Sequence, residues 1–201
     1  DKNSIELTSY HWHHLRIDPR VVKRVEIQST DAIFGEPIHL SQTEGKKCVV
    51  FILVDALGND LLDKFGYETS MPNTARFFRG SRTFTNAWCQ GEWTVPCSAS
   101  IVSGLFTPNH GIWRRDAPKK KMGPNIATIQ ELYKKAGYVT GCISSTRGFS
   151  PEYESGRGSD YFYSEDHPPH HKITYQALEH LRAFPERSHL LYLHYIDIHH
   201  I

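Results

Sequence analysis

Seven consecutive apolar residues, Cys48 to Val54, form the longest such run in the chain. A run with no polar alternation predicts a strand buried on both faces of a parallel sheet. His189 to Ile196 reads as a second apolar strand and ends at Asp197. Between these two the period lengthens to that of helices. Helical stretches are predicted after Gly58 through Phe65, over Asn73 to Arg79 behind Pro72, and over Asn125 to Ala136 before Gly137. Ile173 to Phe184 is amphipathic, with Ala177, Leu178, Leu181 and Phe184 on one face. Thr94 to Gly104 carries strong boundary signals: Thr94 suits an N-cap, Pro96 is tolerated in a first turn, and Gly104 is a C-terminal breaker. Arg82 to Ala87 and Tyr138 to Ile143 read as further strands, and Ser144 to Pro169 as loop.

Strands alternating with helices predict an α/β fold with a mostly parallel sheet sandwiched by helices. In such sheets ligands bind beyond the carboxyl ends of the strands. Asp55 and Asp197 stand at two such ends. Residues 1–46 are polar and irregular, with β-like runs near Val21 to Ile27 and Ala32 to Leu40, and read as an N-terminal extension or the end of a preceding region. Residues 47–201 form the second unit. The cluster His11, His13 and His14 reads either as a metal-binding group or as a solvated, partner-facing segment. The first residue is Asp1 and Ile201 follows a His-rich segment with no stop signal, so both ends are expected to be cuts in a longer protein.

Charge narrows the functional classes. Lys and Arg total 23 against 22 Asp and Glu, a balance that supplies no footprint for nucleic acid. No apolar run reaches the length of a membrane span. Four cysteines with no CxxC pair argue against structural zinc and against a disulfide scaffold.

Three features carry candidate chemistry. Asp55, closing a strand, is either a helix cap or a metal ligand. Thr94 is either an ordinary N-cap or a hydroxyl placed where unpaired N–H groups and the positive end of a helix favour an anionic phosphoryl or sulfuryl group. Asp197, His199 and His200 are either a polar loop or ligands and proton donors at a strand end.

Taken together and in order, these features resemble the sulfatase-like branch of the alkaline phosphatase superfamily. Ile52 to Gly58 (ILVDALG) is similar to the family's opening strand, whose terminal Asp binds the catalytic metal. Met71-Pro72-Asn73 resembles its next segment, and Leu190 to His199 its strand ending in Asp-x-His. Thr94 to Leu105, with Pro108 and His110-Gly111, resembles the nucleophile helix. There the nucleophile lies two residues before a Pro and ten before a Gly, and counting back from Pro96 and Gly104 lands on Thr94 both times.

The resemblance implies an alkaline-phosphatase-like fold, incomplete at the C-terminus. It implies a divalent metal ion (Ca, Mg, Mn or Zn not distinguished) held by Asp55, Thr94 and Asp197, with Thr94 and His199 catalytic. It also implies a later Asp-His-Gly-like ligand pair beyond Ile201, and sheet surface exposed or paired in an oligomer.

Departures redirect the expected activity. Sulfatases convert a Cys or Ser to formylglycine, and Thr94 cannot become that aldehyde. Cys97 is off the nucleophile position, Ser98 stands where the family has an Arg, the family's Gly-Lys-Trp lysine falls near Ser145 with no Lys there, and the Asp-Asp pair reads Asp55-Ala56. The expectation is a metal-dependent hydrolase of phosphate mono- or diesters, or of sulfate esters, through a Thr nucleophile. Its alternatives are a phosphoryl-headgroup transferase on the same scaffold and a non-catalytic sulfatase-like binding domain.

Overall fold

The strand His189–Tyr195 (β4) is central to the architecture. In the computed structural model, which describes residues 45–58, 66–77, 79–84, 86–113, 121–146, 148–149 and 153–199, it pairs in parallel with Cys48–Val54 (β1) on one side and with Val139–Ser144 (β2) on the other. Tyr161–Ser164 (β3) adds to the far edge of β2, giving the order β1-β4-β2-β3 with every pairing parallel. Parallel neighbours need crossovers, and the helices supply them. Those described are α1 (Tyr67–Ser70), α2 (Pro72–Phe77), α3 (Thr94–Ser103), α4 (Thr107–His110), α5 (Ile129–Lys135) and α6 (His170–Ala183).

The period of two along the strands sorts the core into two layers. Cys142 and Tyr192 face one way and join Val95, Ala99 and Val102 of α3. Ile143, Leu191 and Leu193 face the other way and join Ile173 and Ala177 of α6. The sheet is therefore sandwiched by helices, as the sequence pattern predicts.

Three expectations change. β1 is not buried on both faces: Val50, Phe51 and Ile52 are 43%, 40% and 55% exposed. Among the described residues β1 has a neighbour on one side only, so its apolar run marks an edge rather than a covered centre. Arg82 to Ala87 forms no strand among the described residues; it finds no ladder partner, and Phe84 is exposed there. Conversely, β3 lies inside the expected loop, where alternate residues Tyr161 and Tyr163 are buried. Helix boundaries also shift. α5 begins only at Ile129, because Thr128 and Glu131 form a reciprocal capping box. The histidine cluster, the two early β-like runs and the stretch 59–65 lie outside the described residues.

The C-terminal half of α3 is held at Ser100 from two sides. Gly104 caps α3 in the left-handed conformation (φ 68°) and donates to Ser100 O. His110, buried at the end of α4, accepts the Ile112 N–H at Nδ1 and so holds its proton on Nε2, which faces Ser100 Oγ at 2.9 Å. Burial holds the His110 pKa below its ordinary value.

Two predictions follow from these contacts. Gly158 sits at φ 87°, and a Cβ there would lie 2.6 Å from the Glu131 backbone nitrogen. Gly158→Ala should cost about 1–2 kcal/mol from the left-handed backbone alone, with a larger loss from the clash. Gly123→Ala, where the added Cβ would meet only Ile126 Cδ1 at 3.9 Å, should stay close to wild type; calorimetric Tm values compare the two. A depressed histidine pKa contributes stability that is fully present above the unfolded value of about 6.5 and is lost as pH falls through the folded value. Acidification from about pH 7.5 to about pH 5 should therefore destabilise the wild type more than His110→Gln, measured by denaturant unfolding at each pH.

Candidate functional site

Three strand ends meet at one edge of the sheet. Asp55 follows β1 and its N–H bonds to Tyr195 O at 2.8 Å; Ser145 follows β2 and its N–H bonds to His194 O at 3.2 Å. Alternation puts His194 on the same face as Tyr192, the face covered by α3. The start of α3 therefore descends onto Asp55 and His194.

Thr94 does not act as the N-cap. Trp93 takes that position in extended conformation (φ −153°, ψ 170°) and provides no side-chain cap. Thr94 is the first helical residue, and its hydroxyl donates to Asp55 Oδ2 at 2.8 Å. The local chain forces this placement. Pro96 packs so closely on Gly91 that a Cβ there would lie 2.7 Å from the proline ring, and the Cys97 thiol donates to Gly91 O. Cys97 is held as a structural thiol: burial and the neighbouring Cys89 push its pKa up to about 12.

Asp55 is bracketed on its other side by His194, whose Nε2 lies 3.2 Å from Oδ2. That contact is at ion-pair distance, yet Nε2 has no aligned hydrogen bond. The His194 side chain is completely buried, and its Nδ1 lies 3.2 Å from Ser145 Oγ. Burial by itself would raise the Asp55 pKa. The His194 ring, the Thr94 hydroxyl and the nearby His199 outweigh it, so the carboxyl is held below its ordinary value. Asp55 is thus an ionised acceptor with two polar groups aimed at one oxygen. The next residue, Ala56, has a left-handed backbone (φ 60°). For a non-glycine residue this is strained, and such strain gathers at functional sites.

The remaining expected residues distribute unevenly. His199, exposed in the turn after β4, is close enough to Asp55 to act on its charge. Asp197 is engaged elsewhere: its Oδ1 accepts the His170 N–H at 3.1 Å and lies 3.2 Å from His170 Nδ1, tying the exit of β4 to the start of α6. His200 lies outside the described residues. Among the described residues no group of three His, Cys, Asp and Glu side chains assembles as a metal cluster. The donors at Asp55 number one carboxylate, one imidazole and one hydroxyl. Sequence reasoning missed His194, and it marked Ser145 only as a place where a family lysine is absent. The available signal was a histidine inside an otherwise apolar buried strand, a position where a hydrocarbon side chain packs at lower cost.

Comparison with known proteins supports the same frame. The chain is 28% identical over 123 residues to iduronate 2-sulfatase of Mus musculus, covering 61% of this chain and 22% of that protein. It is 26% identical over 145 residues to iduronate 2-sulfatase of Homo sapiens, covering 72% and 26% respectively. The matched part of the chain therefore spans about a quarter of the length of these relatives. Two solved structures share the fold. One, of BT4656 in complex with its substrate D-glucosamine-2-N,6-O-disulfate, superposes with a TM-score of 0.62 at 18% identity, over 77% of this chain and 35% of that one. The other, of Ps i-CgsB in complex with k-i-k-neocarrahexaose, gives a TM-score of 0.53 at 16% identity, over 77% and 46%. The family model named Sulfatase matches residues 47–201, from the residue before β1 to the end of the chain, and on that match the chain belongs to the sulfatase family.

Proposed function

We propose that the protein to which this chain belongs hydrolyses a phosphoric or sulfuric ester with Thr94 Oγ as nucleophile. The observation that carries this reading is the 2.8 Å hydrogen bond from Thr94 to Asp55 at the start of α3. An N-cap hydroxyl would accept from the backbone of its own helix; this one instead donates to an ionised carboxylate. The unpaired N–H groups of the first turn favour an anionic group beside it.

An ionised carboxylate and a hydroxyl oxygen meet there, oxygen donors that would hold part of the shell of a divalent cation. When bound, such an ion would supply Lewis-acid stabilisation of the anionic group and of the nucleophilic oxygen. The chain's own residues do the rest. Asp55 orients the Thr94 hydroxyl and receives its proton. Thr94 Oγ attacks in line, the ester oxygen departs as an alcohol with a proton, and a phospho-threonine remains. His199, exposed beside Asp55, is the proton donor to the leaving oxygen. Water then displaces Thr94 and restores its hydroxyl.

Between the two esters, Thr94 favours phosphate. A phospho-threonine is cleaved by water attacking phosphorus, whereas a sulfo-threonine lacks the geminal hydroxyl through which a formylglycine hydrate expels sulfate. Family membership is the specific observation on the side of sulfate. The sulfated-sugar substrate named for BT4656 makes sulfated sugars the first substrates to assay on that side.

The full-length protein should turn over aryl phosphate mono- or diesters faster than aryl sulfates. Thr94→Ala should lower kcat/KM by about 10³-fold or more, whereas Thr94→Ser should keep measurable turnover. Quenched reactions analysed by mass spectrometry should show the phosphoryl group on Thr94. Full activity in Thr94→Ala would overturn the scheme. Cys97→Ser, which removes a structural thiol, should leave kcat/KM within about threefold.

A further inference from the structure

Two cysteines flank the turn that leads into α3. Cys89 is exposed, Cys97 is half-buried, and both are free thiols. The turn between them is folded back on itself. Pro96 packs so closely on Gly91 that a Cβ at Gly91 would lie 2.7 Å from its ring, and the Cys97 thiol donates to Gly91 O at 3.0 Å. The Cys89 side of the turn is fixed as well, because Thr107 Oγ1 donates to Gln90 O at 2.7 Å. Cys97 Sγ is thus held against the backbone beside Cys89. The two side chains are close enough for Cys89 to share a hydrogen bond with Cys97 and to act on its ionisation. Cys142, by contrast, is sealed inside β2, where a soluble oxidant has no access.

We propose that Cys89 and Cys97 form a reversible disulfide that clasps the turn before α3, made by exchange with a low-molecular-weight disulfide such as oxidised glutathione. Exposure makes Cys89 the entry point. Its sulfur attacks one sulfur of the oxidant, the oxidant's S–S bond breaks, and a glutathione thiol leaves with the Cys89 proton. Cys97 Sγ then attacks the Cys89 sulfur of the mixed disulfide. The second glutathione thiol departs with the Cys97 proton, and the protein disulfide remains. The cysteines lose a pair of electrons, and the oxidant gains them.

The surroundings suit this order of events. Burial is the first cause that pushes the Cys97 thiol up to about 12, and Cys89 is the second. Once Cys89 is capped as a mixed disulfide, it no longer opposes the ionisation of Cys97, and the second attack becomes easier. Closure takes the thiol proton away from Gly91 O and replaces that hydrogen bond with a covalent tie across the same turn. The clasp would form whether or not Thr94 is the nucleophile.

The test is disulfide mapping on the full-length protein. Reduced protein is incubated with oxidised glutathione, its remaining thiols are alkylated, and it is cleaved after Glu92 without reductant. Glu92 is the only acidic residue between the two cysteines, so cleavage there puts them on separate peptides. Mass spectrometry should recover these peptides as one species, lighter by a pair of hydrogens than the free thiols together, and dithiothreitol should split it. A glutathione adduct on Cys89 should be transient in wild type and should accumulate in Cys97→Ser. Tm should rise by a few degrees on oxidation and return with dithiothreitol, because the cross-link restricts the unfolded chain.

Glutathione retained on Cys89 beside an unreacted Cys97 thiol would overturn the proposal. So would a bond from either cysteine to a different cysteine of the protein. Should circular dichroism show Cys97→Ser to be misfolded, Cys89→Ser, changed at an exposed position, serves in its place. Cys97 should then stay a free thiol, and its ready capture by glutathione would overturn the role of Cys89 as the entry point.

Discussion

The parallel pairing of β4 with β1 on one side and β2 on the other is the constraint from which the site follows. Because all three strands run the same way, their carboxyl ends lie at one edge, and residues distant in sequence become neighbours there. Asp55 and Tyr195 are joined by one backbone hydrogen bond, Ser145 and His194 by another. Without the β4 pairings, the 39 residues from Asp55 to Thr94 and the 49 from Ser145 to His194 would connect nothing. The alternation of side chains then decides which of them meets α3. Tyr192 and His194 face that helix while Leu191 and Leu193 face α6, and a slip of one residue in register would send the imidazole to the opposite layer.

Much of the fold was legible because its signals are local. Boundary residues marked α3 correctly, with Gly104 stopping it where the breaker rule places the end. Continuous apolar runs marked β1 and β4. What the sequence could not convey is neighbourhood. The composition of β1 fits a central strand, and only the strand order shows that it is the edge of the described sheet. β3 was hidden because four residues carry too short a pattern to stand out from loop. The candidate site divides along the same line. Asp55 and Thr94 were visible as a strand end and a helix start, while the Ser145–His194 pair depends on a contact across strands that no spacing encodes.

Thr94 also illustrates how a correct position can carry an incorrect role. N-cap preference is real and worth about 1 kcal/mol, so the sequence favours capping when the residue is considered alone. In the structure the cap position falls one residue earlier, on Trp93, which offers no side-chain hydrogen bond. The helix start is therefore held by its surroundings: the Gly91–Pro96 approach, the Cys97 thiol on Gly91 and the burial of Val95. Thr94 is thereby freed from a structural duty, and its hydroxyl is spent on Asp55. The replacements that set this chain apart from the sulfatase pattern bear on the same small region. Ala56 stands beside Asp55, Ser98 is buried in α3, and Ser145 bonds to His194.

A buried imidazole in a strand of this kind has an energetic cost that packing does not repay. Leaving a polar atom buried without a partner costs about 1–3 kcal/mol, and a leucine at that position would fill the space with no such penalty. β4 already contains three leucines, so hydrocarbon packing is available to it. At the other end of the same strand, His189 satisfies one ring nitrogen on Phe184 O at 2.9 Å and contacts the ring of His180, which is the ordinary way a strand accommodates histidine. His194 differs in direction. Its held nitrogen points inward to Ser145, and its unaligned nitrogen points at the one carboxylate that also receives Thr94. The imidazole thereby ties the end of β4 to the two neighbouring strand ends, through Ser145 on one side and Asp55 on the other, beside the start of α3.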